Sequence, residues 1–435
     1  MTVDDSGTAV LAGLDGIRGG VEDFYRDLHA NPELGFQEHR TAAKVAEALR
    51  RTGCEVTEGI GGTGVVGVLS RGRGPAVLLR ADMDALPLRE DTGLPYSSEV
   101  TATDAEGAEQ PVMHACGHDV HVACLLGFAQ LMARATDAWS GTVIALFQPS
   151  EETGGGARAM LADDLAGKIP KPDVALAQHV LPYPAGYVGT RSGSFLSAAD
   201  SLRVTFHGRG AHGSAPQSGI DPVIMAAMTA VRLQTVVSRE IAATTPAVLT
   251  VGSIQAGQSS NVIPDRATMQ LSVRTYDPAV REQVLASIER IVRAEAEASG
   301  APAEPEFERL ADFPATVNDA ATTETVARAF AAHFGDDAHT IDLQTASEDM
   351  SEIPQAFGIP YTYWGIGGTD PAEYARAQRR GTAAQDIPSN HSPHFAPVPQ
   401  PTLDTGIRAL TTAALAWLAR DPGTGESRSA EGAAS

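Results

Sequence analysis

Four short apolar runs in this chain each end on residues able to do chemistry, and that recurrence restricts the fold more than any single motif. Ala76 to Arg80 runs into Asp82-Met83-Asp84, and Thr142 to Phe147 into Gln148-Pro149-Ser150-Glu151-Glu152. Val174 to Ala177 runs into Gln178-His179, and Tyr361 to Trp364 into Gly365-Ile366-Gly367-Gly368. Nearly continuous apolar runs spaced by helical segments read as strands buried on both faces. The expected fold class is therefore α/β, a mostly parallel sheet with flanking helices. Ligands of such sheets bind beyond the carboxyl ends of the strands. Asn31 to Thr52 reads as a helix stopped at Gly53. Asp119 to Ala133 reads as another, with Val120, Cys124, Leu125, Phe128 and Met132 on one stripe and Asp119 as N-cap. The segments Ser97 to Val112 and Thr369 to Ser389 read as long polar loops.

A second unit interrupts this pattern. Ser201 to His207 reads as a strand, Asp221 to Arg239 as a helix, Ala247 to Ile254 and Ala267 to Thr275 as strands, Pro278 to Ser299 as a helix, and Glu304 to Glu308 as a closing strand. That order, β-α-β-β-α-β, is the ferredoxin-like pattern. The expected domains are 10–195 with 313–420 as a split catalytic domain and 196–312 as the insert. The start, up to about Ala9, and residues 421–435 read as disordered. At 435 residues two domains are the natural expectation. A net charge of -22 argues against nucleic acid and against an anionic membrane surface. No apolar run reaches membrane-spanning length and no signal pattern opens the chain. Three cysteines, Cys54, Cys116 and Cys124, make no disulfide framework, so a reducing cytoplasm is the expected location.

The segment Met113-His114-Ala115-Cys116-Gly117-His118-Asp119-Val120-His121 concentrates metal-ligand types just ahead of a helix. The positive end of the helix dipole there favours thiolate at Cys116. Similar donors recur: one of Glu151 and Glu152, His179, and His391 in Asn390-His391-Ser392-Pro393-His394. Singly, each is an ordinary loop residue. Together, at strand ends, they point to a metal centre. Five N, S and O donors exceed what one tetrahedral zinc needs and suit two ions sharing a bridging ligand. Of the adjacent glutamates, one can ligate and leave the other as general base.

On these motifs the chain resembles the amidohydrolase family of hippurate hydrolase, N-acyl-amino-acid amidohydrolase (aminoacylase) and indole-acetyl-amino-acid hydrolase. It is more distantly similar to dinuclear zinc peptidases such as glutamate carboxypeptidase. Further matching segments are His29-Ala30-Asn31-Pro32-Glu33-Leu34-Gly35-Phe36, Gly210-Ala211-His212-Gly213-Ser214-Ala215-Pro216, Asn261-Val262-Ile263-Pro264 and Ser347-Glu348-Asp349-Met350. The resemblance spans about Phe24 to about Ala419. It implies Cys116, His118, Glu152, His179 and His391 as ligands of two divalent ions, zinc or manganese, with cobalt or nickel as further choices. It implies Glu151 as the catalytic glutamate. His212 matches a histidine that reaches the reacting carbonyl, often from a partner subunit, although a plain turn histidine is the alternative. Asn261 and Arg274 are candidates for holding a substrate carboxylate, with a solvated strand-edge charge the alternative for Arg274. Asp84 matches a carboxylate near the metals. Asp82 stands where many relatives have a ligating histidine, so both aspartates stay outside the ligand set.

The activity so implied is hydrolysis of the amide of a small N-acyl amino acid to a carboxylic acid and a free amino acid. The alternative is a dipeptidase, carboxypeptidase or N-acetyl-diamino-acid deacetylase using the same site. The insert is implied to be a lid that also forms a homodimer. The chain departs from the family in the acidic loop Asp104 to Glu109. It also departs at Ser150 and Thr153, beside the glutamate pair, and at His394, a rival of His391 as ligand.

Overall fold

The computed structural model describes residues 3–419; the tail expected to be disordered lies outside them. The strands of the two main sheets are, in chain order, β1 (Glu55–Ile60), β2 (Gly64–Arg71), β3 (Ala76–Asp82), β4 (Gly141–Gln148), β5 (Val174–Pro184), β6 (Val188–Thr190), β7 (Ala198–His207), β8 (Ala247–Ala256), β9 (Arg266–Thr275), β10 (Glu306–Phe313), β11 (Ala338–Thr340) and β12 (Tyr361–Thr369). By its contacts the chain divides into two compact units. The first holds residues up to Ser192, Asn318–Ile341 and those from Ile353 onward. The second holds Gly193–Val317 and Asp342–Glu352. The short segment 342–352, placed in the split domain by the sequence, thus packs in the second unit.

The first unit is built on an eight-stranded sheet in the order β1-β2-β4-β3-β5-β12-β6-β11. Its centre, β4-β3-β5-β12, is parallel throughout. β1 and β2 extend it as antiparallel neighbours. β3, β4 and β12 are buried along almost their whole length, which is why they read as unbroken apolar runs. The helix His118–Arg134 is buried at every position from His118 through Ala129. The single apolar stripe expected for it was too narrow, because its polar residues are buried as well. It packs against the helices Arg18–His29 and Pro399–Leu418 and against β3.

Several local expectations change. The start of the chain is a helix, Val3–Leu11, with Val10 buried. The expected helix from Asn31 is confined to His39–Arg51, because Leu34 bridges Ala85 in extended pairing; the chain then turns at Gly53 with φ 80°. Asp119 is not an N-cap: Gly117 holds that position at φ 82°, and Asp119 reaches His29 instead. The loop expected after Thr369 contains the helix Pro371–Arg380, capped by Asp370 through the N–H groups of Ala372 and Glu373. Asp-Pro pairs open three helices this way, at Asp221, Asp277 and Asp370. Among the described residues no helix is long and apolar enough to cross a membrane.

The second unit is a four-stranded antiparallel sheet in the order β8-β9-β7-β10, with the helices Pro222–Thr235 and Pro278–Ala298. Strand order and chain order together make it ferredoxin-like. Phe206, Met225, Leu233, Met269, Ile288 and Val292 form its core. Asp200 is fully buried and accepts a two-pronged bond from Arg281 at 2.8 and 2.7 Å. β8 is an edge strand. Ile224, Met228 and Val231 leave an apolar line exposed on the first helix of this unit.

The turn after β4 is packed so closely that a Cβ on Gly156 would overlap the Pro149 carbonyl oxygen. We predict that Gly156→Ala lowers the urea midpoint of the protein, a loss of about 2 kcal/mol or more. Gly20→Ala, in an exposed helical stretch with nothing within 4 Å of the new methyl, should raise it slightly. Equal midpoints for the two variants would show that the turn is not tightly packed.

Candidate metal centre

The donor residues gather at and beside the carboxyl ends of the parallel strands. β3 ends at Asp82, paired with Gln148 of β4. β5 pairs with β3 as far as Ala177, and His179 follows two residues later, opposite Gly365 of β12. The turn after β4 carries Ser150, Glu151 and Glu152. His118 opens its helix directly after the left-handed Gly117. The last donor comes from the loop before Pro399, where His391 adopts φ 68° and its N–H bonds to the Ala115 carbonyl at 2.8 Å.

Cys116, His118 and His179 form one group whose donor atoms all lie within 4.8 Å of one another; Cys116, Glu152 and His391 form a second. Cys116 Sγ is 3.5 Å from His179 Nε2. His391 Nε2 is 3.3 Å from Glu152 Oε1. His118 Nε2 lies 3.9 Å from both Glu151 Oε2 and Glu152 Oε1. The structure thus brings together the five ligands read from the sequence, and Glu151 beside them.

The free ring nitrogens are set by bonds on the other side of each ring. His118 Nδ1 donates to the Asp84 carbonyl at 2.8 Å, and His179 Nδ1 to the Val180 carbonyl at 2.7 Å. In the neutral ring of each, Nε2 then keeps the lone pair that an ion needs. His118 Nε2 and Glu152 Oε1 are fully buried without a hydrogen bond of acceptable geometry. Buried polar atoms are rarely left so unless an ion or water completes them. The donor set fits a pair of divalent ions with Cys116 common to both. Asp82, His118 and His121 form a further group. It is already satisfied: His121 Nδ1 bonds Asp82 at 2.5 Å and its Nε2 accepts the Val180 N–H at 2.8 Å.

Several residues outside the ligand set hold it in place. Asp84 accepts the backbone N–H of Glu151 and of Glu152, each at 3.0 Å. Arg80 donates to Asp82 at 2.5 Å and to Gln148 at 2.9 Å. Asn390 donates to the carbonyls of Cys116 and Val180, both at 3.1 Å. Arg80 and Asn390 stand in motifs of the sequence that give them no role of their own. The signal for Asn390 was its place beside a ligand.

Burial penalises the Cys116 thiolate, Glu152 adds to the effect, and the thiol's pKa is raised. Burial opposes ionisation of Asp82 too, but His118, Arg80 and His121 outweigh it and hold the carboxyl well below its usual range. Burial lowers the pKa of His118, yet Asp82, Asp84 and Cys116 together raise it well above normal. Burial, reinforced by His121, holds His179 well below normal. The Cys116 and Glu152 side chains beside it push His391 up to about 10. A divalent ion held by Cys116, His118, Glu152, His179 and His391 would supply a stronger attraction at the same place.

His391, not His394, lies in a donor group with Cys116 and Glu152, and the Nδ1 of His394 donates to the Asp91 carbonyl at 2.6 Å. His212, Asn261 and Arg274 belong to the second unit. His212 pairs with Val262, and its Nδ1 accepts from the Ser214 N–H at 3.1 Å. The Asn261 carbonyl accepts the Gly213 N–H at 2.7 Å, so this residue flanks the two-stranded ladder that pairs His212 with Val262. Arg274 donates to the Ser347 hydroxyl and is therefore not a freely solvated edge charge.

Residues 78–388 match Peptidase family M20/M25/M40. Thermostable carboxypeptidase 1 of Saccharolobus solfataricus is 36% identical over 378 residues, 85% of this chain and 88% of its own. Hippurate hydrolase of Campylobacter jejuni is 40% identical over 287 residues, 65% of this chain and 71% of its own. Among solved structures, a dinuclear metal binding peptidase of the M20 family from Bacillus subtilis is similar at TM-score 0.73 and 28% identity. That match covers 92% of this chain and 98% of the other. The family match, the carboxypeptidase similarity over most of both chains and the fold agree: this chain belongs to peptidase family M20/M25/M40.

Proposed function

We propose that the protein is a metal-dependent amidohydrolase that cleaves N-acyl amino acids into a carboxylic acid and a free amino acid. The observation that carries this reading is the pair of donor groups sharing Cys116, with one further glutamate, Glu151, beside them and in neither group. Cys116, His118 and His179 would hold one ion, and Cys116, Glu152 and His391 the other. The thiolate and imidazoles suit zinc, and the carboxylate extends the choice to manganese. Two such ions, when bound, lower the pKa of a water and polarise the scissile carbonyl. Glu151 accepts the proton of that water and returns it to the leaving amine. A structural zinc site would need no spare glutamate.

The second unit supplies the remaining roles. In the neutral ring, His212 accepts at Nδ1 and so carries its proton on Nε2, the state needed to donate to a developing oxyanion. Asn261 and Arg274 hold the substrate carboxylate, Arg274 by its planar fork. The exposed Ile224, Met228 and Val231 and the edge strand β8 support a homodimer formed through this unit. Sedimentation of the chain as a monomer would overturn that assembly. The free cysteines support a cytoplasmic location. The hippurate hydrolase relative favours an acyl amino acid as substrate and the carboxypeptidase relative a peptide.

A metal-reconstituted screen of N-acetyl, N-benzoyl and indole-acetyl amino acids, with dipeptides alongside, separates these. Turnover confined to dipeptides would replace the amidohydrolase reading with the peptidase one. In the same assay Glu151→Gln should lose about 10²–10⁴-fold in kcat, because the amide cannot accept a proton, while metal content stays unchanged. Near-normal turnover would assign the base elsewhere. Because Cys116 belongs to both donor groups, Cys116→Ala should deplete both ions in elemental analysis. His179→Ala and His391→Ala should each deplete chiefly one. A Cys116→Ala variant that keeps its full metal complement would rule out the shared ligand.

A further inference from the structure

We infer that Glu38 is a positioning residue: its buried carboxylate fixes the turn that aims Glu151 and Glu152 at the centre. The inference rests on the reading of Glu151 as the proton-transfer group.

Glu38 occupies the N-cap position of the helix His39–Arg51, where a carboxylate ordinarily accepts an N–H of its own helix. It makes no such bond. Glu33 performs that task instead, accepting from Arg40 N at 2.9 Å and Thr41 N at 2.8 Å. Glu38 is nevertheless fully buried. A carboxylate out of water is costly unless its oxygens are satisfied, so capping does not explain this one.

Its oxygens are used elsewhere. Oε1 accepts the Ser150 N–H at 2.7 Å, and Oε2 the Thr63 hydroxyl at 2.5 Å. Ser150 has φ 49°, a left-handed conformation that costs energy in any residue with a Cβ and persists only where the surroundings enforce it. The next two N–H groups, of Glu151 and Glu152, end on Asp84. Three successive peptide N–H groups are therefore held by two buried carboxylates. Gly35 backs the same serine, since a Cβ on it would come within 2.5 Å of Ser150 Oγ. The orientation of these peptides sets where the side chains of Glu151 and Glu152 leave the backbone. Glu38 acts on the chemistry through them.

The test compares Glu38→Ala, Glu38→Asp and Glu38→Gln in the full chain, saturated with the ion that supports most activity. Kcat, KM, bound metal and thermal midpoint are measured for each. In Glu38→Asp the charge is kept but drawn back by a methylene. In Glu38→Gln the amide oxygen still accepts the Ser150 N–H and the amide nitrogen donates to Thr63. Ala and Asp should lose about 10–100-fold in kcat, with KM and bound metal little changed, whereas Gln should stay near the parent. If Ala does not fold, Asp and Gln still decide the matter. Parental kcat in Asp, or a Gln variant as damaged as Asp, would overturn the positioning role. Glu151→Gln measured alongside separates the two possible failures. Normal turnover in Glu151→Gln overturns the proton-transfer assignment. An inactive Glu151→Gln beside a normal Glu38→Asp overturns only the role of Glu38.

Discussion

The centre depends on the way Asp84 is satisfied. Its backbone carbonyl takes the proton of His118 Nδ1, and its side chain takes the N–H groups of Glu151 and Glu152. One residue after β3 thereby fixes the first residue of a helix and the turn after the neighbouring strand. Burial raises the pKa of this carboxyl, although hydrogen bonding from His118 opposes the rise. Hydrogen bonds to a buried acceptor are strong in both senses: worth much when made, costly when lost. The sheet brings the segments near one another; Asp84 sets their register to within the tolerance that metal ligation needs.

Around that anchor the ionisable groups pull against one another. Glu152 is held ionised against burial by His391 and His118, while Cys116 is driven towards its neutral form. His179 and His118, whose ring centroids are 6.0 Å apart, shift in opposite directions. Such a cluster is poorly optimised for stability alone, and functional sites are where that pattern is commonly found. Its geometry suits cations with more charge than a proton.

Among the candidate ligands, Glu152 and His179 were legible because each follows an apolar run, and Cys116, His118 and His391 because they stand in segments dense in donor residues. The sequence hid what supports them. A carboxylate that binds backbone N–H groups, as Asp84 and Glu38 do, leaves no spacing signature, since its partners have no side-chain identity. Glu38 also looked like part of a helix that began at Asn31; the pairing of Leu34 with Ala85 removes that first turn. The helix Pro371–Arg380 was missed for the opposite reason. Its Asp370-Pro371 start and Gly381 stop were readable, but Glu373, Arg376, Arg379 and Arg380 leave it almost no apolar stripe. Asp119 has N-cap chemistry and an N-cap position by pattern. Only the fold reveals that His29, 2.7 Å away, claims its side chain.

The insertion of the second unit also orders events in time. His179 precedes the insert in the chain and His391 follows it, so a ribosome must complete the whole second unit between the two. Domains tend to fold as they emerge, N-terminal material first. Cys116, His118 and His179 are all made before the insert, but β12, which pairs with the strand carrying His179, and the helix Pro399–Leu418, which packs on the helix opened by His118, come after it. Both donor groups therefore wait for the end of synthesis, and the insert is made while the sheet of the first unit is still incomplete.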